Sequence, residues 1–262
     1  MTFPLYIPLG PWHVHPHALF DLLAYAAGGQ LYWLLRRRRP TSAVPFEKMM
    51  WVFVFMAGGA LFGAKVLAWL EMWPEFWAQR FGVGIWLGGK TIAGGILGGW
   101  LGVELGKKMV GPSESTGDAF VFPLILAIAI GRLGCFLTGL SDHTYGIASS
   151  LPWAIDFGDG IPRHPTSLYE IAILLIAGAI LWTVHRRGTL PNGAIFRLFI
   201  AIYCLFRLLV EFIKPREVIL AGLCPIQWAS AVGAIAALIS LRLMLTRQQR
   251  IPQYAAREEV AP

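Results

Sequence analysis

Apolar residues gather into seven runs of roughly the 20 residues that a helix needs to cross a ~30 Å hydrocarbon layer. They are His17 to Leu35, Phe46 to Leu70, Ile85 to Gly106, Ala119 to Gly139, Ser167 to Val184, Ala194 to Phe212 and Pro225 to Leu245. The polar stretches between them alternate in charge. Those after the first, third and fifth runs, together with the tail, carry Arg36 to Arg39, Lys107 with Lys108, Arg186 with Arg187, and Arg247 with Arg250. The opposite side has only the scattered cations Arg80, Arg163, Lys214 and Arg216. The excess of Lys and Arg on cytoplasmic loops predicts an N-terminus outside and a C-terminus inside. The pattern therefore predicts an all-α integral membrane protein, one polytopic domain over residues 1–262 with seven transmembrane helices.

Composition agrees. Hydrophobic residues make up 56% and charged residues 14%, mean hydropathy is +0.59, and there are 11 Trp, too little polar surface to cover a soluble globule of this size. A net charge of +7 would suggest nucleic acid in a soluble chain. Here the cations are topology determinants, and no nucleic-acid partner is expected. Cys135 and Cys204 lie inside apolar runs and Cys224 in a short connection, with neither pairing nor metal-ligand spacing, so neither disulfide, metal nor cofactor is expected. The basic cluster follows the first apolar run rather than preceding it, which argues against a cleaved signal peptide.

Two polar segments on the outer side stand apart. Near 72–82, Trp73, Phe76, Trp77 and Phe81 recur at helical spacing among Glu75, Gln79 and Arg80, as in a helix lying in the lipid interface. The segment 140–167 is rich in Gly and Pro and holds Asp142, His143, Tyr145, Asp156, Asp159, Arg163 and His164, the expected place for chemistry on an outer loop. Gly88, Gly89, Gly94, Gly95, Gly98, Gly99 and Gly102 have the spacing that lets helix backbones approach closely. Gly89-Lys90-Thr91 is not a phosphate loop, since it lacks the preceding Gly and the strand context.

A charge at mid-bilayer costs roughly 2.5–3.5 kcal/mol on insertion scales, so its partner must be sought. At about 1.5 Å per residue, Arg132 and Arg207 both lie about 20 Å from the cytoplasmic ends of their helices. Lys65, Lys90 and Asp21 fall near the outer boundary, and Glu211 is the i,i+4 partner of Arg207. The surplus of positive charge calls for an anion. The one available at that depth is a phospholipid headgroup, which the planar fork of Arg binds through paired hydrogen bonds. The competing possibility is structural ion pairing, Arg207 with Glu211 and Arg132 with Asp21 or a carbonyl.

The stretch Gly131-Arg132-Leu133-Gly134-Cys135-Phe136, then Leu151-Pro152-Trp153, then Arg163-His164-Pro165-Thr166-Ser167-Leu168-Tyr169-Glu170 resembles the central block of bacterial prolipoprotein diacylglyceryl transferases. Tyr203, Phe206, Arg207, Glu211-Phe212 and Gln227 follow in matching order, so the resemblance covers most of the chain. It implies a multi-pass protein of the bacterial inner membrane that moves a diacylglyceryl group from phosphatidylglycerol, or another anionic phospholipid, to the lipobox cysteine of a lipoprotein signal peptide or a related thiol acceptor. Glycerol phosphate would leave. Arg132 and Arg207 would stabilise its charge, Glu211 would orient Arg207, Tyr203 would donate to the headgroup, and His164 would be the base, with His15 and His17 behind it. Lys90, Gly94, Gly95, Gly134, Cys135, Tyr169, Glu170, Gln227 and His17 complete the expected substrate site.

Three departures mark a divergent member. Ala93 precedes Gly94-Gly95 where the family has His, Cys135 stands for an Asn, and Thr138 stands near a second Asn. They admit an alternative, a non-catalytic phospholipid-binding protein that retains the transferase fold. A small-solute transporter is a weaker third reading, because the inner halves of the runs have almost no polar side chains and no internal repeat is evident.

Overall fold

The computed structural model describes residues 3–37, 45–111 and 117–258. Arg38 and Arg39 of the first basic cluster lie outside them. The described residues form a short hairpin, β1 (Ile7–Leu9) and β2 (Trp12–Val14), followed by α1 (Pro16–Arg37), α2 (Phe46–Glu71), α3 (Trp73–Ala78), α4 (Val83–Leu87), α5 (Ile92–Val110) and α6 (Asp118–Thr138). A 3-10 turn at Gly139–Asp142 leads to the two-residue strands β3 (Ile155–Asp156) and β4 (Pro162–Arg163). Then come α7 (Thr166–Arg187), α8 (Ala194–Val210) with a 3-10 turn at Glu211–Ile213, and α9 (Pro225–Glu258).

Four of these helical segments are long and apolar enough to cross a membrane: Glu47–Glu71, Asp118–Asp142, Thr166–Arg187 and Pro225–Gln248. Their outward faces suit lipid. Phe62, Leu175, Ile176 and Val232 are all more than half exposed, a degree of apolar exposure that water would not tolerate over whole helices. The other three expected runs depart from a long apolar helix for identifiable reasons. In α1, Asp21 and several polar residues interrupt the apolar pattern; α5 carries Glu104, Lys107 and Lys108; and α8 is 17 residues long and includes Arg197 and Arg207.

The expected helix from Ile85 to Gly106 is in fact broken. Val83–Leu87 is a separate short helix, the chain then leaves helical geometry, and α5 begins only at Ile92. Gly89 sits at φ +63°, a conformation that favours glycine. Thr91 then restarts the helix as N-cap, its hydroxyl accepting from the Gly94 amide at 3.3 Å. Lys90 therefore lies in the break rather than on a helix. The Gly-Lys-Thr sequence serves this turn.

The chain divides into two compact units. One holds β1, β2, α1, α6, the 140–167 segment, α7, α8 to Tyr203, and α9 from Ala234. Here α1 packs closely on α6: a Cβ at Gly134 would come within 2.5 Å of the Phe20 Cβ, and one at Gly28 within 3.0 Å of the Ala127 Cβ. Tyr32 and Phe120 stack at 4.6 Å further along the same pair. Asp118 holds the start of α8, accepting from the amides of Gly193 at 2.7 Å and Phe196 at 2.8 Å. A carboxylate there satisfies helix-end donors and complements the helix dipole.

The other unit holds α2 to α5, the end of α8, the following connection and α9 to Gly233. Its seam is backbone against backbone. Gly59 and Gly63 of α2 face Gly94, Gly98 and Gly102 of α5 so closely that a Cβ at Gly98 would strike the Gly59 carbonyl oxygen and come within 2.9 Å of the Gly63 Cα. Among the four rings of the expected interfacial stripe, Trp73, Phe76 and Trp77 belong to α3, where Trp73 stacks on Phe76 at 5.9 Å and on Trp77 at 5.7 Å. Phe81 follows the helix and is exposed.

Gly98→Ala forces helix backbones apart and should destabilise the protein by about 1–3 kcal/mol, the usual range for overpacking a tight core. Gly95→Ala, whose added methyl would sit 3.8 Å from its nearest neighbours, should be neutral or slightly stabilising. Thermal unfolding in detergent measures both.

Candidate functional site

In the first unit, three helices bring a buried charge cluster together. Arg132 of α6 lies with its Nε 2.8 Å from Glu170 Oε2 on α7, and Tyr203 of α8 donates its hydroxyl to Glu170 Oε1 at 2.8 Å. Arg132, Glu170 and Tyr203 are 6%, 2% and 1% exposed. A guanidinium this deep needs a counter-charge, and a lone buried carboxylate would be as costly. Sequence offers Arg132 either Asp21 or a carbonyl as partner; the structure pairs it with Glu170. The resemblance also gives Tyr203 to the headgroup, whereas its hydroxyl is committed to Glu170.

Beside this cluster, Arg132 donates through a terminal guanidinium nitrogen to Cys135 Sγ at 3.7 Å, one turn on. His17 of α1 faces the same sulfur, and its Nδ1 is 2.7 Å from Asp142 Oδ1 in the turn after α6. Its Nε2 is 3.4 Å from Asp21, one turn along α1. Asp142 is held on its other oxygen by the Thr144 hydroxyl at 2.8 Å. Gly134 keeps α1 near enough for this, so its role is close approach.

The 140–167 segment folds back on itself above these residues in sequence. Gly146 donates to the His164 carbonyl at 2.9 Å, and Ser149 to that of Pro162 at 2.9 Å. The Asp156 carboxylate gathers the amides of Gly158, Asp159 and Gly160 at 2.8–3.1 Å. Arg163 pairs with Asp159 at 2.6 Å and holds that exposed carboxyl below the usual carboxylate range. The Tyr169 hydroxyl accepts from Trp153 Nε1 at 2.8 Å and shares a hydrogen bond with His164 Nδ1 at 3.1 Å. The Thr166 hydroxyl donates to the Thr144 carbonyl, tying the start of α7 to the segment.

In the second unit, Arg207 pairs with Glu211 as the i,i+4 spacing predicts, and Lys214 Nζ approaches the same Glu211 oxygen at 3.6 Å. Gln227 is wholly buried and works on the start of α9. Its amide oxygen accepts from the Cys224 amide at 3.0 Å and from Arg216, while its Nε2 donates to the Leu208 carbonyl at 3.1 Å. With Pro225 as the first helical residue, this is the reciprocal part of a capping box. Glu71 accepts from the next amide, Ile226, at 2.8 Å. Burial pushes the Cys224 thiol up to about 11, so it stays protonated and unreactive at neutral pH. Lys65 donates to the Gly88 carbonyl at 3.0 Å, across the break that holds Lys90. Gly94 packs on the Gly63 carbonyl, and Gly95 lies beside Ala60 and Ala64.

The predicted residues thus divide. Arg132, Glu170, Tyr203, Cys135, Gly134 and His17 meet in one unit, with His164 and Tyr169 paired where its 140–167 segment runs into α7. Arg207, Glu211, Gln227, Lys90, Gly94 and Gly95 belong to the other. Sequence reasoning missed Glu71 altogether, although a carboxylate ending an apolar run was a signal, and did not assign Asp142 a role.

Removing one member of the Arg132–Glu170 pair leaves a buried charge unmatched. Glu170→Leu and Arg132→Met should each destabilise the protein by roughly 3–5 kcal/mol, while the double variant should lose clearly less than their sum. Chemical unfolding of the four proteins in detergent gives the cycle.

The prolipoprotein diacylglyceryl transferase family model matches residues 4–243. A relative from Bordetella avium, called phosphatidylglycerol–prolipoprotein diacylglyceryl transferase, is 29% identical over 95% of this chain and 97% of its own length. Proteins of the same name from Bordetella parapertussis and Pseudomonas aeruginosa are 31% and 30% identical, over 87% and 82% of this chain and 89% and 81% of theirs. The match takes in β1 and continues through most of α9, and the chain is an α-helical membrane protein belonging to the prolipoprotein diacylglyceryl transferase family.

Proposed function

We propose that this chain transfers the diacylglyceryl group of phosphatidylglycerol to the lipobox cysteine of a prolipoprotein signal peptide. The observation that carries the reading is the buried guanidinium of Arg132, braced by Glu170 and Tyr203 beside a polar outer segment, in a chain whose relatives bear the transferase name. The acceptor sulfur forms a bond to the terminal glycerol carbon, the bond from that carbon to the phosphate oxygen breaks, and glycerol phosphate leaves. His164 accepts the thiol proton. As the bond breaks, charge grows on the phosphate, and donors fixed in advance in a low-dielectric site stabilise it without reorganising.

Arg132 keeps part of its five-donor fork for that phosphate, since among the described residues its partners are Glu170 and Cys135. The family resemblance gives Arg207, with its partner Glu211, a part in stabilising phosphate charge as well. Tyr203 acts through Glu170 rather than on lipid. The resemblance likewise assigns to substrate binding Gly134, Cys135, Tyr169 and His17 of the first unit, and Lys90, Gly94, Gly95 and Gln227 of the second. The reading includes seven spans in the bacterial inner membrane, with N-terminus outside and C-terminus inside, which fits the basic loops and the four long apolar helices. On the same reading α3 lies in the outer interface and 140–167 is the functional outer loop.

In a strain depleted of its own transferase, expression of this chain should restore a thioether-linked diacylglycerol on a reporter lipoprotein, read by mass spectrometry. Arg132→Ala and Arg207→Ala should each lower that product by roughly 10²–10³-fold, the cost of losing one charge-stabilising donor. Absence of product with the unaltered chain, at normal membrane levels, would overturn the reading.

A further inference from the structure

We infer that His17, Cys135 and Asp142 form a divalent-metal site of the zinc type, whose open position takes the acceptor thiol. The inference rests on the transferase reading above for the thiol, but not for the metal. The three side chains come from α1, α6 and the turn after α6, and their ligand atoms all lie within 4.8 Å of one another. Two ligands on one zinc ion, at bonds of ~2.0–2.3 Å, sit roughly 3–4 Å apart, so modest side-chain rotation closes the set. Imidazole nitrogen, thiolate sulfur and carboxylate oxygen are a borderline-soft donor mixture suited to Zn²⁺, and three protein ligands with a vacant fourth position are the catalytic rather than the structural pattern.

The groups behind the ligands strengthen the case. A metal-bound His normally gives its other ring N–H to a carboxylate, and His17 turns Nδ1 toward Asp142 while Nε2 meets Asp21 at 3.4 Å. A ligating carboxylate is itself held, and the Thr144 hydroxyl donates to the remaining Asp142 oxygen at 2.8 Å. Arg132 does not oppose a cation here, because Glu170 balances its charge at 2.8 Å. Cys135 is buried, whereas His17 and Asp142 side chains are 28% and 9% exposed, which gives an ion and a thiol a way in.

A metal deprotonates a thiol that coordinates it. The acceptor thiol loses its proton on binding the ion, the proton goes on to His164, and the bound thiolate then attacks the glycerol carbon as the phosphate ester bond breaks.

The test uses the full chain purified in detergent, stripped with a chelator and titrated with Zn²⁺ and with Co²⁺. One ion per chain should bind, and the cobalt form should show a thiolate-to-metal charge-transfer band. Cys135→Ser should abolish the band and weaken zinc binding by at least ~100-fold, and Asp21→Asn by roughly 10–100-fold. Cys224→Ser should alter neither. Lack of saturable one-to-one binding, or equal affinity in Cys135→Ser and Asp142→Asn, overturns the site. Should Cys135→Ser fail to fold, judged by metal-free thermal unfolding, Asp21→Asn carries the same comparison. Transfer to a lipobox peptide from phosphatidylglycerol vesicles should require the ion. Undiminished transfer by stripped protein removes the metal from the reaction and leaves the transferase reading intact. Saturable binding without transfer under any loading keeps the metal and overturns that reading instead.

Discussion

A guanidinium buried among apolar helices must be matched by a charge, and the match of Arg132 with Glu170 organises the first unit. It fixes α6 against α7, and because Tyr203 donates to the other Glu170 oxygen, it fixes α8 as well. All three side chains are nearly inaccessible, so there is no water to soften a mismatch. The pairing uses only part of the Arg132 donor set. On the proposed function the remaining donors serve an anion, with the Cys135 sulfur and the His17–Asp142 pair beside them. On that reading, stability and catalysis draw on one set of contacts.

The second unit is built on a different principle. Between α2 and α5 the glycine rows let backbones touch, which gains dispersion contacts where lipid and protein are equally apolar. Its polar groups serve helix ends. Gln227 and Glu71 satisfy the first amides of α9, and Thr91 starts α5. Buried polar residues in this unit are thus partly capping devices, a role easily confused with substrate binding when only their position in the chain is known.

Much of the architecture was legible from residue pattern. The starts of α2 at Phe46, α8 at Ala194 and α9 at Pro225 fall where the apolar runs begin, because polar or Pro/Gly-rich stretches end there abruptly. The α4–α5 break was not legible, since Gly and Leu around position 88 satisfy hydropathy without being helical. The i,i+4 pair Arg207–Glu211 could be read because helix geometry fixes it. Arg132–Glu170 and His17–Asp142 could not, being joined by tertiary packing between residues 38 and 125 positions apart in the numbering. Cys135 shows the same limit: neither its spacing nor its apolar surroundings announce a His and an Asp brought beside it by α1 and the turn after α6.

The most direct measurement asks whether Arg132 holds the headgroup of a phospholipid. Native mass spectrometry of the protein, released from membranes containing both phosphatidylglycerol and phosphatidylethanolamine, should find phosphatidylglycerol retained preferentially. That preference should vanish in a folded Arg132→Gln variant. Equal retention of the two lipids, or unchanged preference after Arg132 is replaced, would contradict a headgroup site built on this guanidinium.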